Sequence, residues 1–198
     1  MEQSFGDRPK AGEKDPIAVW NRGFGSFLET VNTLPQVVVA AVEGYAIAGG
    51  FGLVCVSDVA ICTEGAGFAM TETAIGIVPA QIAPFVAARI GVPQTRHLAL
   101  TAARFKGPEA LRLGIVHHLV KDAAALDTKL EEILKQIDRC APLANALTKA
   151  VVMKVGSEPL ASVLDFAADS FAEARRSPEA AEGLRAFAEK RPPKWATE

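Results

Sequence analysis

The apolar run PQVVVAAV, followed within a few residues by AIAGGFGL, limits what this chain can become more than any other stretch. Val37 to Val42 is short, β-branched and bounded by Pro35 and Gly44, which predicts a strand buried on both faces. The chain then places Ala46, Ala48, Gly49 and Gly50, the least bulky residues available, where GFGLVCV predicts the start of a helix. A strand passing through a small-residue turn into a helix belongs to an α/β layer structure. Side chains this small let another group approach the backbone closely, whether a ligand or a neighbouring strand.

Upstream, Ile17, Val19, Trp20, Phe24, Phe27, Leu28 and Val31 recur at helical spacing, so a helix is predicted from Pro16 to Thr33, ended by Pro35. Downstream, Asp58 to Cys62 and Phe68 to Met70 read as two short extended pieces around a glycine turn. After Thr71 helical patterns take over, at 81–90, 93–100, 108–113, 123–140, 143–155, 160–175 and 178–190. Pro142, Pro159 and Pro178 stand at or just before helix starts, where a missing N–H costs nothing. The change of character divides the chain into a core over residues 1–121 and a helical C-terminal region over 122–198.

A chain of 198 residues can bury one core, and its net charge of −2 gives no electrostatic reason to expect nucleic acid or an anionic membrane as partner. No apolar stretch reaches bilayer length and the opening MEQSFGDRPKAGEKDP is polar rather than signal-like, so the expected location is the cytoplasm. Cys55, Cys62 and Cys140 show neither C-x-x-C spacing nor a metal-ligand pattern. They read as buried thiols of a reducing compartment, and no metal site is expected.

Two places carry candidate chemistry. The first backbone N–H groups of a helix lack intrahelical partners, so the Ala48-Gly49-Gly50 turn offers donors to a negative oxygen; tight packing against a strand explains the same residues. The turn is neither a G-K-[ST] phosphate loop nor a G-x-G-x-x-G fingerprint. In FAMTETAIGIVPA, Thr71 can cap a short helix with Glu72 in its first turn. The apolar neighbours Phe68, Met70, Ala74, Ile75 and Ile77 disfavour a charged carboxylate there, which suits a group that gives and takes a proton near neutrality.

From PQVVVAAVEGYAIAGG through FAMTETAIGIVPA and RIGVPQTRHLALTAARFKGPEALRLGIVHHLV to EGLRAFAEKR, the chain resembles the enoyl-CoA hydratase/isomerase (crotonase) superfamily. The resemblance implies a ββα spiral core followed by a helical oligomerising region, an acyl-CoA thioester as substrate, and no separate cofactor, coenzyme A being part of that substrate. It implies that the Gly49 amide is one of two donors to the thioester oxygen, the small Ala48 and Gly50 giving the carbonyl access. It also makes Glu72 the acid/base that exchanges a proton next to the thioester. Losing one such donor typically costs about 3 to 4 kcal/mol. Phe187 and Lys190 match positions that contact the adenine and phosphate end of coenzyme A, while packing within their own domain and solvation explain them equally. Trimers or dimers of trimers are the implied assembly.

Two departures qualify the match. Well-known hydratases carry a second glutamate where this chain has Gly52, which implies room beside the β-carbon of the substrate. Together, GFGL and ETAIGIVPAQIAPFVAARIG resemble the subgroup acting on 3-methylglutaconyl-CoA or isohexenylglutaconyl-CoA, in leucine or acyclic terpene degradation. Hydration with Glu72 as main acid/base follows, water being held by backbone groups or by a polar side chain such as Gln81, which reads equally as a solvent-facing residue at a helix start. An isomerase using one carboxylate, or a non-catalytic acyl-CoA-binding member, remains as an alternative. The second departure is at the front, where the family's F-x-A-G-x-D donor segment and the strands before it have no counterpart ahead of MEQSFGD. A truncated or late-started chain with uncovered sheet edges is the expectation. His97, His117 and His118 carry no catalytic role in this reading, one of the latter pair being expected to pack.

Overall fold

The computed structural model describes residues 9–10 and 12–196. Helix α1 (Pro16–Thr33) begins where the Asp15 carboxylate accepts the Ile17 N–H at 2.8 Å and Pro16 supplies a first-turn residue that needs no N–H partner. Strands β1 (Val39–Val42) and β2 (Tyr45–Ile47) lead into α2 (Gly49–Cys55), and β3 (Val59–Thr63) and β4 (Gly67–Ala69) lead into a 3-10 helix, Glu72–Ile75. Then come α3 (Ala83–Ile90), α4 (Val92–Thr101), β5 (Arg104–Lys106), α5 (Gly107–Arg112) and β6 (His118–Val120). Four longer helices close the chain: α6 (Ala123–Asp138), α7 (Pro142–Lys154), α8 (Leu160–Arg176) and α9 (Pro178–Glu189).

The strands form two three-stranded sheets, one in the order β1-β3-β6 and all parallel, the other in the order β2-β4-β5 with β5 antiparallel to β4. The first four strands alternate between the sheets, so β1 and β2 are neighbours in sequence but pair with β3 and β4 respectively. The main core includes Leu28, Phe51, Phe68, Met70, Val86 and Ile115, all essentially inaccessible. Phe68 stacks on Phe105 at 5.7 Å between centroids, and Phe51 meets both edge-on. On the other side of the first sheet, Leu126 and Ile133 of α6 cover Ile61. Lys149 of α7 reaches back to the Asp58 carboxylate at 2.7 Å, the same oxygen that accepts the Val38 N–H at 2.7 Å, and so ties the C-terminal helices to the sheet.

Several expectations change. β1 is not buried on both faces: Val42 is buried but Ala41 is exposed, and a hollow runs along the strand. Cys55 and Cys62 are buried thiols, pushed up to about 12 and about 11 respectively by burial, but Cys140 is exposed at the end of α6. Thr71 precedes the 3-10 helix without making a side-chain cap. Among the described residues no helix is long and apolar enough to cross a membrane.

Candidate active site

The parallel pairing of β2 with β4 aligns Ile47 with Ala69, and one residue further on the Ala48 N–H donates to the Ala69 carbonyl at 3.1 Å. Two chain segments therefore leave the sheet side by side: Ala48-Gly49-Gly50, which opens α2, and Met70-Thr71-Glu72, which opens the 3-10 helix. The segments that carry the glycine turn and Glu72 thus start from the C-terminal ends of two adjacent parallel strands. Ala48 takes φ 51° and ψ −120°, a conformation that L side chains rarely adopt and that costs about 1 to 3 kcal/mol. The Gly49 N–H, at the first position of α2, has no described acceptor. Phe24 of α1 lies against this turn so closely that a Cβ on Gly49 would sit 2.8 Å from its ring tip.

Glu72 is half-buried, and its Oε2 is a buried atom with no hydrogen-bond partner among the described residues. Such an oxygen is costly to keep and calls for an explanation, of which a catalytic role is one. Its main chain is well held, the Glu72 carbonyl accepting the Ile77 N–H at 3.1 Å beyond a left-handed Gly76 at φ 79°. The neighbourhood is less apolar than expected: Phe68 and Met70 are buried beneath, but Ile75, Ile77 and Val78 face outward.

The Enoyl-CoA hydratase/isomerase family pattern matches residues 8–198. This chain belongs to the enoyl-CoA hydratase/isomerase family. It is 34% identical over 178 residues to the carnitinyl-CoA dehydratase of Escherichia coli K12, a match covering 87% of this chain and 67% of that protein. Among solved structures, it superposes on an enoyl-CoA hydratase/isomerase from Marinobacter aquaeolei with a TM-score of 0.90 and 49% identity, covering 96% of this chain and 72% of that one. Pseudomonas aeruginosa AtuE gives a TM-score of 0.90 and 55% identity over 94% of this chain and 72% of its own.

As a member of this family the chain has unexpected packing at two of its candidate residues. Gly52 is buried, and a Cβ there would lie 2.5 Å from Ile82 Cγ2 and 3.3 Å from Leu28 Cδ1. The room expected beside a substrate β-carbon is filled by Ile82. Gln81 does not point freely to solvent either: its Nε2 donates to Asn21 Oδ1 at 2.8 Å, and its Oε1 occupies the space that a Cβ on Gly25 would need. It joins α1 to the segment before α3. Gly50 is open, with nothing within 4 Å of an added Cβ, and it borders a hollow of about 420 Å³ along β1 that Gly49 and Glu72 do not line.

Phe187 and Lys190 are exposed at the end of α9, Lys190 as a left-handed cap at φ 53°. Their helix packs on α8, with Glu179 accepting the Leu143 N–H of α7 at 2.9 Å, and no described hydrogen bond joins α9 to the glycine turn or to Glu72. His97 is exposed on α4 and His118 lies in β6. His117 accepts the Ala60 N–H through Nδ1 at 3.0 Å. Residue-by-residue reading overlooked Phe24 beside the turn and Thr73 beside Glu72. The helical period of α1 signals a packed Phe24, whereas nothing in the sequence signals the partner of Thr73.

Proposed function

We propose that this chain hydrates a β-branched α,β-unsaturated acyl-CoA thioester of the 3-methylglutaconyl-CoA or isohexenylglutaconyl-CoA type. The Glu72 carboxylate takes a proton from water while the hydroxide adds to the β-carbon, and negative charge moves onto the thioester oxygen. The Gly49 N–H donates to that oxygen, where a hydrogen bond is stronger on the enolate than on the ground-state carbonyl. Glu72 then delivers its proton to the α-carbon, so that H and OH from one water are both accounted for. Coenzyme A enters as part of the substrate, its nucleotide end meeting Phe187 and Lys190, and no other cofactor takes part. The observation that carries this reading is the buried Oε2 of Glu72, which, like the Gly49 N–H at the end of the adjacent strand, has no partner among the described residues. The likeness to a carnitinyl-CoA dehydratase supports it, because dehydration is hydration run in reverse.

An isomerase reading draws support from Gly52, which as a glycine offers Glu72 no second carboxylate at that position. An isomerase needs one carboxylate and no activated water. Loss of enone absorbance from 3-methylglutaconyl-CoA with formation of a hydrated product favours the hydratase; a shifted double bond with no water gained favours the isomerase. Acyl-CoA binding without turnover at high protein concentration indicates a binding subunit. Glu72→Gln is expected to abolish turnover and leave thioester binding largely intact, and a variant with most of the wild-type rate defeats the assignment.

A further inference from the structure

Burial does little to hold the 3-10 helix that carries Glu72, although backbone hydrogen bonds such as Ile77 N–H to the Glu72 carbonyl close the turn itself. Its residues Ala74 and Ile75 are exposed, as are Gly76, Ile77 and Val78 after it, so burial does not fix the orientation of the turn. Its described side-chain tether is the Thr73 hydroxyl, which donates to the Ala99 carbonyl near the end of α4 at 2.7 Å. That carbonyl is an orphan of the helix terminus. The Ala103 N–H, its i+4 donor in a continuing helix, instead bonds to Leu98 at 3.3 Å, because Ala102 turns left-handed at φ 48° and ends α4. Leu98 and Ala99 are themselves buried, so the acceptor is rigid. One hydroxyl therefore satisfies a helix end and fastens the turn whose preceding residue holds the unpartnered carboxylate oxygen.

From this geometry we infer that Thr73 is a positioning residue for Glu72, holding the carboxyl at the height where it meets the α-carbon of the substrate. The inference rests on the proposed proton transfer by Glu72. The hydroxyl touches no reacting atom; it acts through the main chain of the turn. Displacing a catalytic group by about 1 Å can lower a rate by roughly 100-fold. Removing the tether therefore reduces the proton-transfer rate much more than it weakens thioester binding.

The test uses solvent-deuterium exchange at the α-carbon of butyryl-CoA, which reads proton transfer without requiring hydration of a particular acyl chain. Thr73→Val, nearly isosteric but without a donor, is expected to lower the exchange rate constant roughly 10- to 100-fold with butyryl-CoA affinity changed less than about threefold. Thr73→Ser, which restores the donor, is expected to recover most of the rate. If Thr73→Val exchanges at the wild-type rate, or Thr73→Ser is as impaired as Thr73→Val, Thr73 does not position Glu72. If the wild-type protein exchanges no α-proton, or Glu72→Gln exchanges as fast as wild type, the reading beneath the inference fails, and the inference with it.

Discussion

At position 52 the absence of a side chain has a specific cause. Ile82, buried in the core, projects its Cγ2 to within 2.5 Å of where a Cβ would stand, and Leu28 closes the other side. Restoring a two-carboxylate arrangement by Gly52→Glu therefore forces atoms into a filled core, and overpacking of this kind costs about 1 to 3 kcal/mol. Urea unfolding of Gly52→Glu is expected to show a loss of that size, with much of it recovered when Ile82→Gly is added, because residues in direct contact couple. A single variant as stable as wild type would show that Ile82 yields freely and that the volume is available to a substrate after all. Ala48 presents the opposite case, an alanine in a conformation better suited to glycine. Such strain is typical of functional turns.

At the scale of elements, α3 clamps the adjoining ends of β3 and β6. Arg89 donates to the Ile115 carbonyl at 3.2 and 3.0 Å and to the Ser57 carbonyl at 3.1 Å, and its guanidinium lies 3.5 Å from the His117 ring. His117 and Ala60 are bonded twice, through His117 N–H to Ala60 O at 2.8 Å and through Ala60 N–H to His117 Nδ1 at 3.0 Å. Protonating Nδ1 ends the second bond and sets a cation beside Arg89. Burial first, then Arg89 and His118, pull the His117 imidazole below its ordinary range. Folding thus favours the neutral ring, so this contribution is complete above the unfolded value of about 6.5 and is lost as the pH falls through the lower folded value. Stability in urea is expected to decrease below about pH 6.5, and His117→Asn, whose Oδ1 accepts without titrating, is expected to flatten that part of the profile. An unchanged profile would exclude His117 as the cause. None of this was legible beforehand, since Ala60 and His117 are 57 positions apart. The helices were legible, α1 to the residue and α9 to one residue, because apolar periodicity and first-turn prolines mark them locally. The strands β2 and β5 were not, because three residues cannot display an alternation; β4, equally short, is marked instead by its glycine turn. Glu72 and the glycine turn stood out as motifs, while the contacts that hold them, through Ala69, Phe24 and Ala99, exist only once the chain is folded.

Considered as a whole molecule, the chain distributes its apolar surface unevenly. Helix α7 buries no residue fully, α8 buries Val163 and Ser170, and α9 buries Ala186 alone. Yet α8 turns Leu160, Leu164 and Phe171 outward along one face, with Phe171 72% exposed, and α9 adds Leu184 and Phe187. Between these helices Phe171, Ala174, Gly183, Leu184 and Trp195 line a hollow of about 500 Å³. Apolar surface on this scale marks an interaction face. A further copy of the same chain is the occupant that the assembly implied by the family resemblance would supply, and a closed ring uses that face without leaving it free for unlimited growth. Sedimentation at micromolar concentration is therefore expected to give a trimer or a dimer of trimers. Phe171→Glu or Leu164→Glu, which adds charge to an already exposed position and so leaves the isolated fold nearly undisturbed, is expected to shift the protein toward monomer. If the wild type sediments as a monomer, or the charged variants assemble as it does, these helices serve another partner. Comparing acyl-CoA affinity before and after dissociation then extends the test to Phe187 and Lys190: affinity lost together with assembly places their role across the subunit boundary, and affinity retained places it within one chain.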